Sequence, residues 1–338
     1  MESARGAPPE LIVRVRDLEA DNDFRAVVRL LEPLSRADLL RQPELGYRLA
    51  YAWRRTGRAG EALELTEALD LPVRRRATPG LERRRLNLEA MLRFEAGDVE
   101  WASSLWERLV EKASAHGDHT LLAAAHNNLG VVHTLMGQYS RAIAAYGRAV
   151  MAYQRLGDRR GLAQAHQNLG ITCREAGLKL ESEAHFRDAI AHARATGSED
   201  VLGRAEEERS LLYVADGDTE MAEITARRAM ARLEREGDLA GVGEALRVMG
   251  IVALREGRAA DAIERLEGAL RHARETNSAL LEAETLEAMA VLAEYEGQMD
   301  LAARRRTGAG AIFQRMNAAG WGRRMRERTR ELVTPGNA

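Results

Sequence analysis

The residues able to do chemistry are few, and most stand alone. Eight histidines are present, and two pairs share a spacing register, His126 with His166 and His192 with His272. Imidazoles at matching positions of adjacent elements can face one another and bind a metal ion. The competing reading is an imidazole packed or hydrogen-bonded where a bulky core residue would otherwise stand. That second reading is adopted for His126 and His166, so no metal site is expected. His116 and His119 flank Gly117 and are expected on the surface. Cys173 is the single cysteine, which excludes an intramolecular disulfide and any multi-cysteine zinc or iron–sulfur site within one chain. It is expected to be a small buried apolar residue, not a nucleophile. Lys112 and Lys179 are the only lysines, and no glycine-rich phosphate loop or dinucleotide fingerprint accompanies them. No catalytic residue and no cofactor is assigned. Tyr139, Tyr146 and Tyr153 recur every seven residues on one helix stripe, as a packing seam or a partner-binding strip would.

The background that must position these residues is soluble and helix-rich: 338 residues, 45% hydrophobic, 30% charged and 4% aromatic. A formal charge of -2 offers neither the basic excess of a nucleic-acid binder nor the acidic excess of a disordered chain. Residues 1–10 hold Pro8 and Pro9 and no apolar core of signal-peptide length, and no long uncharged apolar run occurs, so no membrane insertion is expected. With one cysteine, the expectation is a cytoplasmic protein. Forty-eight arginines against two lysines are the mark of GC-rich coding and imply a bacterial source.

The strongest signal is a period. Gly57, Gly97, Gly137, Gly177, Gly217, Gly257 and Gly297 stand 40 residues apart, and Gly117, Gly157, Gly197 and Gly237 lie midway, continued by Asn277 and Asn317. The physical cause is the helix C-terminus, where the chain reverses through a left-handed conformation that glycine adopts freely and asparagine adopts best among the others. No proline occurs between Pro79 and Pro335, and the intervals are rich in Ala, Leu, Glu and Arg. Asp118, Asp158, Ser198, Asp238 and Ser278 follow the second set of turns as N-caps. Each 40-residue unit is therefore a helical hairpin. Gly130, Gly170, Ser210, Gly250 and Ala290 in the first helix, with Ala102, Ala142, Ala222, Ala262 and Ala302 in the second, permit close helix approach.

These residues resemble the tetratricopeptide repeat. Leu129, Gly130, Gly137, Ala142 and Ala149 match its pattern, as do Leu169, Gly170, Gly177 and Ala189, while Glu89 and Arg209 stand where a core Leu is expected and Ser182 where Ala is expected. The 40-residue unit resembles the longer repeats of kinesin-light-chain-like, Pins-like and bacterial Rap-type proteins. The resemblance implies an all-α, right-handed superhelical solenoid of about eight hairpins plus a C-terminal capping helix. Its parts are expected as a disordered N-terminus at 1–9, hairpins over 10–70 with a turn at Asp21-Asn22-Asp23, a proline-bracketed joint at 71–80, the repeat array over 81–317, an Arg-rich cap with Trp321 at 318–333, and a tail at 334–338.

In such repeats the first helix of each pair lines a concave groove. The positions just before the Leu-Gly pair, and so the expected partner-binding residues, are Asn127 and Asn128, Gln167 and Asn168, and Glu207 and Glu208. By the resemblance, Asn128 and Asn168 would clamp a peptide backbone; the alternative is that Asn merely suits an exposed helix position. Val131 and Ile171, one turn on, form a groove floor or belong to the core. Charge is segregated along the chain: residues 201–300 hold 12 Arg and 22 Asp+Glu, and residues 301–338 hold 9 Arg and 2 Glu. The acidic hairpins either attract a basic partner or receive the Arg-rich end. Nucleic acid is not expected as the partner of Arg323, Arg324, Arg326, Arg328 and Arg330, because no aromatic platform accompanies them. The expectation is a non-enzymatic adaptor that holds a peptide or helix of another protein in its groove. The alternative is a peptide-responsive sensor that changes superhelix shape and controls a partner. Pairing with a second copy through the terminal elements stays open.

Overall fold

In the computed structural model the described residues are 9–76, 78–316 and 319–333. The expectations for 1–8, for Asn317 and for the tail 334–338 lie outside them. Among the described residues every regular element is a helix, and the chain divides into two compact units, Met1–Ala125 and His126–Ala338. Unit 1 holds α1 (Pro9–Ala20), α2 (Phe24–Leu31), α3 (Arg36–Arg41), α4 (Pro43–Arg55), α5 (Ala59–Ala68), α6 (Asp70–Arg75), α7 (Pro79–Glu95) and α8 (Val99–Ala115). The division falls inside α9 (His119–Leu135). Unit 2 continues through α10 (Tyr139–Leu156), α11 (Arg159–Glu175), α12 (Lys179–Thr196), α13 (Glu199–Asp216), α14 (Thr219–Arg235), α15 (Leu239–Arg255), α16 (Ala259–Glu275), α17 (Ala279–Tyr295), α18 (Met299–Arg315) and α19 (Ala319–Val333). The chain is an all-α solenoid of helical hairpins closed by one further helix. Among the described residues no helix is long and apolar enough to cross a membrane.

The turns carry the conformation that the period demands. The glycines from Gly57 to Gly297 have φ between 64° and 90°, and Asn277, in the same register, has φ 53°. Asn22 makes the first hairpin turn at φ 56°, and Asp23 caps α2 by accepting from the amide of Ala26 at 2.9 Å. Asp158 and Asp238 cap α11 and α15 through the amides of Gly161 and Gly241. Ser198 and Ser278 hold the N-cap positions without a side-chain cap bond, and Ser198 Oγ instead pairs with Thr196 Oγ1 at 2.8 Å. Between Leu71 and Gly80 the chain forms α6, tied back to α7 by Arg85, whose Nη2 lies 2.5 Å from Asp70 Oδ1. Pro79 occupies the first turn of α7, where its missing N–H costs nothing.

Packing within each hairpin follows the small residues. A Cβ added to Gly130 would lie 2.5 Å from the Tyr146 ring, one at Gly170 2.6 Å from the Phe186 ring, and one at Gly250 2.8 Å from Leu266. Each pair is offset by 16 positions, so one large residue from the second helix fills the notch of the first in unit after unit. The departures from the repeat pattern are compensated locally. Glu89 is buried against Arg85 at 2.6 Å, and Arg209 bonds Glu183 at 2.5 Å while covering the Tyr213 ring. Ser182, fully buried, donates to the carbonyl of Gly170 at 2.7 Å. Cys173 is buried, and burial raises its thiol pKa, as expected of a packing residue. Tyr146 is a packing residue as well: it is 2% exposed, so the tyrosine stripe on α10 turns at least one member inward.

Overpacking the notch should therefore be costly and specific. Gly170→Leu is expected to destabilise the chain by about 1–3 kcal/mol in denaturant unfolding, and Phe186→Ala in the same chain should restore part of that loss. Additive costs from the two substitutions would show that the notch does not set the helix approach.

Candidate functional site

The first helices of unit 2 form one layer of the stack, and the Arg-rich α19 lies against that layer. Arg324 donates to the carbonyl of Leu135 on α9 at 2.8 Å, and Arg328 pairs with Glu175 on α11. Arg255 on α15 donates to the carbonyl of Leu332 at 2.9 Å. On α17, Glu287 and Glu294 receive Arg326 at 3.1 Å and Arg330 at 3.3 Å. Trp321, Met325 and Leu332 are buried among these helices. Four inter-helix steps of 8–10 Å would spread α9 to α17 over roughly 30–40 Å, whereas α19 is only about 22 Å long. Contact with both ends of the layer means that the first-helix wall curves around α19. The Arg-rich helix is thus more than a lid on the last apolar face. It occupies the inner wall, and two of its arginines, Arg326 and Arg330, fold onto the acidic hairpins.

Six expected groove residues meet different fates. Asn127, Asn128, Gln167 and Asn168 are half-buried, and Asn168 Nδ2 donates to Asn127 Oδ1 at 3.2 Å, so the amides bond across adjacent units. Glu208 accepts Arg174 Nη1 at 2.6 Å. Glu207 is 1% exposed, and neither of its carboxylate oxygens has a hydrogen-bond partner. The half-buried Val131 and Ile171 line a cavity of about 170 Å³ together with Asn168 and Glu208. Its far side is closed by Trp321, Met325 and Arg328 of α19. Asn127, Asn128, Gln167 and Glu207 do not line it.

The cavity walls are charged and largely buried. Arg174 joins Glu208 to Glu175, which lies 3.3 Å from it. Burial would raise the Glu175 carboxyl, but Arg328 and Arg174 outweigh it and hold the pKa below the usual range. Burial, and then the neighbouring Arg174, lowers the pKa of Arg328. Arg247 reaches Glu284 at 3.1 Å, and Trp321 donates its indole N–H to the same carboxylate at 3.3 Å. Glu207 and Glu244 are left over. Burial and the Glu208 carboxylate raise both pKa values, that of Glu244 to about 7, despite the nearby Arg247. The three carboxylates of Glu207, Glu208 and Glu244 lie within 4.8 Å of one another.

Sequence reasoning missed Arg174, Glu244, Arg247 and Glu284. A signal was available for one of them: Arg247 stands 40 residues past Glu207 and 80 past Gln167, the continuation of a position already singled out. Histidine placement agrees with the reading of His126 and His166 as packed or hydrogen-bonded imidazoles. His126 is buried in the first hairpin of unit 2, where burial and Arg148 lower its pKa. It is not paired with His166, whose Nδ1 lies 3.2 Å from Nδ1 of His185.

The tetratricopeptide-repeat family model matches residues 122–195. No curated protein matches the chain. Among solved structures, a Rap protein complexed with Competence and Sporulation Factor aligns at TM-score 0.68 and 15% identity, covering 96% of each chain. Aspartyl phosphate phosphatase F from Bacillus subtilis aligns at 0.55 and 14% identity, covering 95% of this chain and 96% of the other. A signal-transduction ATPase with a tetratricopeptide-repeat sensor, PH0952 from Pyrococcus horikoshii, aligns at 0.63 and 13% identity, covering 95% of this chain and 48% of the other. At these identities the likeness is one of fold. Residues 122–195 match the tetratricopeptide repeat, and the chain as a whole shares the helical-hairpin fold of these solved structures, on a 40-residue unit.

Proposed function

We propose that the chain is a non-enzymatic protein–protein interaction module that takes a peptide or helix of another protein on the first-helix wall of unit 2. The observation that carries this reading is α19 itself. The wall already accommodates a helix, with Trp321, Met325 and Leu332 seated among α9 to α17 and four arginines on wall carbonyls or carboxylates. A partner segment of similar chemistry, an aromatic or aliphatic anchor beside basic residues, would meet the same acceptors. Asn168, Val131 and Ile171 supply the part of the cavity that α19 leaves open. The fold-level likeness to a Rap protein solved with a signalling factor, and to a repeat sensor, is in keeping with an adaptor or regulator. At 14% identity the likeness to aspartyl phosphate phosphatase F is one of fold.

The position of α19 favours the regulatory form of this reading, in which a partner displaces α19 and changes the curvature of the wall. Peptides selected by display against the full chain provide the probe. Arg328→Glu, which sets a carboxylate against Glu175, should raise their affinity at least tenfold by freeing the wall, and Asn168→Ala should lower it. Small-angle scattering should then show a change in radius of gyration on peptide addition. Equal affinity for all three chains would remove the wall from recognition.

The leftover carboxylates set a pH dependence. Folding raises the pKa values of Glu207 and Glu244, so the folded chain binds protons that the unfolded chain has released. Their contribution to stability is complete below the ordinary carboxylate range and is lost as pH rises through about 7, the value for Glu244. Facing them are Glu208 and Arg204 on α13, Arg174 on α11, Arg247 on α15 and Glu284 on α17. The thermal midpoint of the wild type should fall as pH rises from the ordinary carboxylate range, 4.5, to about 7, and level off above it. Glu207→Gln/Glu244→Gln should have a flatter profile and the higher midpoint at the alkaline end. Parallel profiles would place the titration elsewhere.

A further inference from the structure

The hairpin α11–α12 carries a cluster that the wall does not use. His166 on α11 faces His185, Asp188 and His192 on α12. The Nδ1 atoms of His166 and His185 are 3.2 Å apart, and Asp188 Oδ2 lies 3.7 Å from His166 Nδ1. One ligand atom from each of His166, His185 and Asp188 falls within 4.8 Å of the others. The His192 ring stacks on His166 at a centroid distance of 5.7 Å and 26° between planes, which fixes the orientation of the His166 imidazole.

We propose that His166, His185 and Asp188 form a divalent transition-metal site, with Zn²⁺ the best-fitting ion. Zinc binds imidazole nitrogen at about 2.0–2.1 Å, so two nitrogens on a tetrahedral ion stand about 3.3–3.4 Å apart, close to the observed separation. A direct N–H···N hydrogen bond accounts for the two imidazoles. It leaves Asp188 Oδ2 3.7 Å from His166 Nδ1, beyond hydrogen-bonding distance of that ring. An ion between the three groups uses all three atoms, with a fourth position open to water. Two nitrogens and one carboxylate are a donor set for zinc or its neighbours in the transition series, not for Ca²⁺ or Mg²⁺, which prefer all-oxygen sites. Burial lowers the pKa of both rings against the opposing pull of Asp188.

The repeat supplies an internal comparison. Forty residues on from His166 the same position is Glu206, which accepts Arg228 at 3.1 Å and Arg232 at 3.1 Å from the second helix of its own hairpin. Arg228 stands 40 residues after Asp188, and Arg232 stands 40 after His192. The slot is therefore a polar tie between the two helices of a hairpin. In α13–α14 an ion pair makes the tie, whereas in α11–α12 the tie consists of metal-ligand residue types without a matching cation. His126, one unit earlier, faces Arg148 and has no second imidazole.

The test uses the full chain with any affinity tag removed and apo-treated, titrated with Zn²⁺ in competition with a chromophoric chelator, and with Co²⁺ as a spectroscopic probe. One ion per chain is expected, with the visible absorption of tetrahedral Co²⁺ bearing nitrogen ligands. His185→Ala should weaken zinc at least tenfold and abolish the cobalt band. Asp188→Asn, at an exposed position where folding is not at stake, should weaken binding and alter the band. His116→Ala/His119→Ala should change neither. Binding that is indifferent to both His185→Ala and Asp188→Asn would overturn the assignment, as would an imidazole N–H···N bond that persists in NMR spectra at saturating zinc.

Discussion

Arg328 lies between Glu175 and the interior of unit 2, and a guanidinium in that position is tolerated only because a carboxylate meets it there. Taking either charge out of water alone would cost several kcal/mol, so neither can be buried without the other. The same condition runs along the whole inner wall. Arg174 must hold both Glu208 and Glu175, and Arg247 must hold Glu284, because α19 has removed the solvent that would otherwise satisfy them. Glu207 and Glu244 mark where the matching of charges runs short. The wall is thus a surface whose ionic groups are paired for one particular covered state.

That dependence explains what could be read from the residues. Turn positions were legible because a left-handed conformation is a local demand: Gly137 or Asn277 answers it without reference to anything distant. Close helix approach was legible for the same reason, since Gly170 meets Phe186 only 16 positions away in the same hairpin. The course of α19 was not legible to the same degree. Its contacts join Arg328 to Glu175 and Arg324 to Leu135 across most of unit 2, and composition disclosed only that opposite charges were available. Among the candidate site residues, amide positions were identified by type, and it took the structure to show that Asn168 bonds Asn127 while Glu207 is sealed inside. The partner of His166 was missed because matching was sought between repeats. The pairing runs between the two helices of one repeat, 19 positions apart.

Two ways of tying helices therefore coexist in one solenoid. Within a hairpin, small residues and polar ties such as Glu206 with Arg228 and Arg232 fix the approach of first to second helix. Across hairpins, contacts along the wall and the charges beneath α19 set how the units curve. The first kind is local to a hairpin and recurs with the period, as at Gly130, Gly170 and Gly250. The second is made once, by a helix whose residues lie at the end of unit 2 and outside every hairpin.

On the proposed regulatory reading, an exchangeable α19 would have a thermodynamic consequence for anything that binds beneath it. A ligand that needs the bare wall meets it only in the fraction of molecules whose α19 is undocked, and its apparent dissociation constant is the intrinsic one divided by that fraction. Each increment of about 1.4 kcal/mol in α19 docking weakens apparent affinity tenfold. Docking that rests on buried ion pairs is also graded by charge: neutralising Glu175 or Glu284, or adding negative charge to α19, loosens it without touching the hairpins. On that reading such a wall would be tuned by the balance between its own covering helix and the partner. Selectivity then falls to segments that satisfy Glu175, Glu284 and Glu287 at least as fully as Arg328, Trp321 and Arg326 do now.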